Sequence, residues 1–77
     1  MEHLDNRTLL KVIVDKRIAA ERLSHAARMI SRDLSLVEGA NEAREATLKA
    51  ASAAEREADQ AERILLKRFR NQEKENN

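Results

Sequence analysis

Proline is absent from this chain, and glycine occurs once, at Gly39, near the middle of 77 residues. No strong breaker interrupts either half, and both are rich in Ala, Glu, Arg, Lys and Leu, which favour helix. The one run of β-branched residues, Val12-Ile13-Val14, lies inside a longer helical period and is read as helix. Two helices meeting at one turn fold back on each other. The predicted fold is therefore all-α, a two-helix antiparallel hairpin forming a single domain.

Local signals place the ends. Asp5 or Asn6 can cap a first helix over residues 6–38. Gly39 supplies a left-handed residue to end it, the turn covers 39–41, and Asn41 caps a second helix that carries Glu42 in its first turn. That helix is expected to run over 42–70. The polar segment Asn71 to Asn77 has nothing to bury and is expected to be a disordered tail.

Apolar spacing says which faces meet. Leu9, Ile13, Lys16, Ala20, Leu23, Ala27, Ile30, Leu34 and Val37 follow alternating steps of four and three, the pattern of a coiled-coil seam, with Lys16 as the exception. Its methylenes can pack while its ammonium reaches the edge, toward Glu62. The second helix carries a wide arc of small residues, from Ala43, Ala46, Ala50 and Ala53 through Ala58 and Ala61, and gathers its large side chains near Phe69. Glu45–Lys49 and Asp59–Arg63 have the spacing of stabilising pairs on the wet face.

A chain this short gains little from one core, and with no cysteine it cannot be stapled by a disulfide or a thiolate metal site. His3 and His25 have no other metal ligands at helical spacing, so no metal and no cofactor are expected. Self-association is the remaining staple. Folding at Gly39 brings Leu9, Leu10, Val12 and Ile13 near Ile64, Leu65, Leu66 and Phe69, a ring too wide for two helices to bury alone. These eight residues are the predicted self-association core of a homodimer or higher homo-oligomer.

A second stripe, Val14, Ile18, Met29 and Leu36, lies on the opposite face of the first helix, with Arg22 and Arg32 among it. It reads as a docking face for a protein partner, in which Met29 adapts and the arginines pair with acids. The other candidate surface is basic: residues 63–77 hold five basic and two acidic side chains. Arg63, Lys67, Arg68 and Arg70 could contact the phosphates of a nucleic acid, although a net charge of +1 and a single aromatic make this the weaker reading.

No nucleophile and base pair, phosphate loop or HExxH pattern is present, so the chain is expected not to be an enzyme. The N-terminus lacks the basic and apolar regions of a signal peptide, and no stretch is apolar enough for a transmembrane segment, so a cytoplasmic location is expected. The hairpin layout resembles plasmid copy-number proteins of the ROP type, which dimerise and bind RNA, and the short co-chaperones of type III secretion needle subunits. Phage-encoded inhibitors that dock on a host factor share the same small helical design. These resemblances imply a helical adaptor or regulator that binds, modulates or sequesters a protein, or else a ROP-like nucleic-acid-binding dimer.

Overall fold

The computed structural model describes residues 1–76, with side chains through Glu73. Two helices account for the fold: α1, Asn6–Asp33, and α2, Ala40–Asn76. They pack side by side as an antiparallel hairpin, a rod measuring 60 × 19 × 15 Å.

Helix α1 starts where its cap allows. The Asp5 carboxylate accepts the Thr8 backbone N–H at 2.8 Å, satisfying one of the donors that a first turn leaves free. Hydrogen bonding from Thr8, from its side chain first and its backbone N–H second, holds the Asp5 carboxyl below its ordinary value; desolvation opposes this, and the Arg68 charge adds a smaller lowering.

The other end departs from expectation, because α1 stops at Asp33 rather than at Glu38. Ser31, Asp33 and Ser35 crowd this stretch, and their short polar side chains compete for backbone groups that a helix would use. Two successive turns follow, with Val37 N–H bonded to Leu34 C=O at 3.0 Å and Ala40 N–H to Val37 C=O at 3.1 Å. Gly39, at φ 84°, then enters α2 instead of leaving α1: its carbonyl accepts the Ala43 N–H at 3.0 Å. The cap of α2 is thus Gly39 and not Asn41, while Glu42 stands in the first turn, where the helix dipole favours an anion.

Helix α2 runs past its expected end at residue 70 and continues through Asn76; the last residue of the expected disordered tail 71–77, Asn77, lies outside the described residues. Adding residues to an existing helix needs no new nucleus, and Gln72, Glu73 and Lys74 favour it.

The seam follows the four–three spacing as far as α1 lasts. Leu9, Ala20 and Ala27 are buried, and Ile13, Lys16, Leu23 and Ile30 are half-buried. Leu34 and Val37 fall beyond the helix and are exposed. On α2 the matching stripe is narrower than the predicted arc. Ala40, Ala51, Ala54, Ala58 and Ala61 are buried, whereas Ala43, Ala46, Ala50 and Ala53 face water. Alanines let two helix axes approach closely, yet each removes little area from water, at roughly 25 cal/mol per Å². Half-buried Thr47 donates its hydroxyl to the Ala43 carbonyl at 2.7 Å.

Ion pairs bridge the two helices on their exposed flanks. Lys16 Nζ reaches Glu57 Oε2 at 2.9 Å, and Arg17 takes Glu62, the expected partner of Lys16, together with Asp59 at 3.6 Å. The long turn causes this offset, because it slides α2 along α1. Asp59 therefore faces Arg17 rather than Arg63, and Glu45–Lys49 is not among the ion pairs of the described residues.

The hairpin is thinly packed. Among the described residues, Leu9 is the one fully buried large side chain. A compact monomer of this mass exposes about 4,800 Å². This rod exposes 6282 Å².

Candidate interaction surfaces

The residue directly after a core position lies on one flank of the seam, and that flank forms the principal concave surface. On α1 it carries Leu10, Arg17 and Ser24; on α2 it carries Leu48, Glu55, Glu62 and Phe69. Toward the open end, where α1 begins, a groove of about 570 Å³ runs along it. Leu10, Ile13, Leu65, Leu66 and Phe69 supply the apolar lining, and Asn6, Arg17, Glu62, Arg68 and Gln72 the polar rim. Phe69 is 59% exposed there. The hydrogen bond to Glu62 raises the pKa of Arg17 further, the charges of Glu62, Asp59 and Glu55 add to this, and desolvation opposes it.

The eight residues expected to form a self-association core therefore divide. Leu9 is spent inside the hairpin, 0% exposed, and leaves the set. Leu10, Ile13, Leu65, Leu66 and Phe69 line the groove, while Val12 and Ile64 are half-buried and do not.

The stripe on the far face of α1 is partly as expected. Val14, Ile18 and Met29 are exposed, and Ile18 borders a shallow hollow of about 400 Å³ with Glu21, Arg22, His25 and Arg28. Leu36 is corrected: it sits in the turn after α1 has ended, fully exposed, so it does not extend the helical stripe. Arg32 is tied to its neighbours, its Nε donating to Asp33 at 3.1 Å and its Nη2 lying 3.9 Å from the Met29 sulfur. Arg22 is exposed.

The basic set also divides. Arg68 donates to the Asn6 side-chain oxygen at 2.8 Å and to the Glu2 carbonyl at 2.7 Å, fastening the N-terminal turn to α2. Two of its five N–H donors are thereby engaged in structure. Arg63, Lys67 and Arg70 are exposed along one line of α2 at steps of four and three.

Sequence reasoning missed Leu48, which is exposed beside a second hollow of about 320 Å³ lined by Ser24, Ala27 and Ser31, with arginines 28, 32 and 44 around it. The signal was present in the heptad spacing, since Leu48 occupies the same flank position as Phe69. Among the described residues, no helix is long and apolar enough to cross a membrane. No protein-family model, curated protein or solved structure matches the chain.

Proposed function

We propose that this chain is a small, non-enzymatic helical adaptor or regulator that binds a protein partner by helix packing and that works as a self-associated, cytoplasmic module. The observation that carries the reading is the position of Val14, Ile18 and Met29. All three are exposed on α1, and none lines the open-end groove. Two apolar regions are thus left for two occupants. The groove suits self-association, and the outer stripe, with Arg22 beside it, suits a partner whose helix brings apolar anchors and acids.

The test is the double variant Ile18→Gln, Met29→Gln, which leaves the groove untouched. Helicity by circular dichroism and mass by sedimentation should match the parent, since surface changes of this kind shift stability by about 0.5 kcal/mol or less. Capture of a partner from a lysate of the source organism, identified by mass spectrometry, should drop at least tenfold. Undiminished capture would remove the stripe from the interface.

The nucleic-acid reading has weaker support, because Arg68 is engaged with Asn6 and Glu2 and leaves Arg63, Lys67 and Arg70 as the phosphate contacts. Salt-sensitive binding to generic RNA, lost when these three become Ala, would favour it over the protein adaptor.

A further inference from the structure

We infer that a second copy of this chain covers the open-end groove, with the two rods related by a two-fold axis along their length, so that both open ends lie at the same pole. The inference rests on the self-association proposed above and adds its face and topology.

Surface area gives the first reason. The excess over a compact monomer of this mass is about 1,500 Å². A standard specific interface needs about 800 Å² from each partner. The groove is where the large side chains of that excess are concave and grouped, with Leu10, Leu66 and Phe69 standing around half-buried Ile13 and Leu65.

Charge selects the topology. Two hairpins joined face to face can be related by a two-fold along the rod or by one across it, and both keep neighbouring helices antiparallel. With the axis along the rod, the flank of α1 faces the flank of the second copy's α2 level by level. Leu10 then meets Phe69, and Arg17 meets Glu62, repeating across the interface the ion pair already made within each chain. With the axis crossing the rod at its middle, where the two hairpins overlap over their full length, Leu10 meets Ser31 and Glu62 meets Glu55, so an apolar side chain loses its match and carboxylates oppose each other twice. Like charges placed opposite are destabilising. Toward the turn end, Arg28 and Arg44 of the two copies would approach each other in the favoured arrangement, so the contact concentrates in the open half of the rod.

The chain lacks cysteine, so a single spin label reports the topology without background. On the full chain carrying Gln72→Cys at the groove rim, sedimentation should show a dimer at micromolar concentration. Electron–electron distance measurement should place the two labels about 20–30 Å apart, as neighbouring helices 8–10 Å apart with flexible label linkers require. In the arrangement crossed at mid-rod the labels would sit at opposite ends of a 60 Å rod. Glu62→Gln adds a test of sign: it should weaken the dimer several-fold here, whereas it would tighten the crossed dimer by relieving the Glu62–Glu55 repulsion. Circular dichroism on the same sample confirms that the hairpin is intact. A monomer at high concentration would overturn both this inference and the self-association beneath it. A dimer with widely separated labels, or one tightened by Glu62→Gln, would overturn the topology and leave self-association standing.

Discussion

The two ends of the rod are built from the same helices yet held in different ways. At the open end Leu9 is fully buried, Ile13 and Leu65 are half-buried, and Arg68 clasps the N-terminal turn through Asn6 and Glu2. At the turn end the buried side chains are the alanines Ala27 and Ala40, while Leu34, Leu36 and Val37 stand in water. Propensity makes both ends helical, but area removed from water fastens mainly one of them. A region can therefore be regular in backbone and still open easily.

The sharpest way to break this comparison is to remove the large side chain buried at the open end. Leu9→Ala should destabilise the fold by about 2–5 kcal/mol in chemical denaturation, the range for a buried leucine that leaves a cavity. Leu34→Ala and Val37→Ala should each stay within about 0.5 kcal/mol of the parent. Equal losses at the two ends would erase the distinction.

The turn end has one sensitive residue of its own. Gly39→Ala should cost about 1–2 kcal/mol in the same experiment, because φ 84° disfavours any side chain. Crowding does not contribute, since the nearest atom to an added Cβ is the Glu42 carboxylate oxygen at 3.9 Å. A smaller effect is local and needs no variant. Amides of 28–33 and 40–47 should exchange with deuterium sooner than those of 12–20 and 54–65, and a uniform profile would mean that the alanine seam holds as firmly as the open end.

The smallest expected effect concerns the Asp5 cap and acid. Its carboxyl titrates below the ordinary value of 3.8 in the folded chain, so its contribution is complete above that value and is lost as pH falls through the lower, folded one. Melting curves from pH 5 downward should show this loss. Asn also caps well, so Asp5→Asn should remove the Asp5-linked part of that loss while α1 still begins at Asn6. An unchanged acid profile in Asp5→Asn would mean that other carboxylates govern it.

The helices and the α1 seam were legible because four–three spacing and a lone glycine are local signals. Boundaries were less so. Gly39 announces a reversal but does not say which helix it serves, and only the backbone shows it entering α2. The inward face of α2 was blurred because alanine suits both a buried and an exposed position, so Ala43, Ala46, Ala50 and Ala53 resembled the true seam. Polar partners depended on register. Once the turn lengthened to 34–39, Lys16 met Glu57, Arg17 met Glu62, and Arg68 came within reach of Asn6.

Phe69 also has a spectroscopic meaning. The chain holds no tryptophan or tyrosine, and its single phenylalanine stands in the open-end groove. It is therefore almost dark at the wavelengths where most proteins absorb and emit, and any tryptophan or tyrosine signal in a mixture belongs to the other component. The weak near-ultraviolet dichroism of the chain itself arises from one ring, so that band reads the state of the groove directly, sharpening when the ring is held by a neighbour and fading when it turns freely.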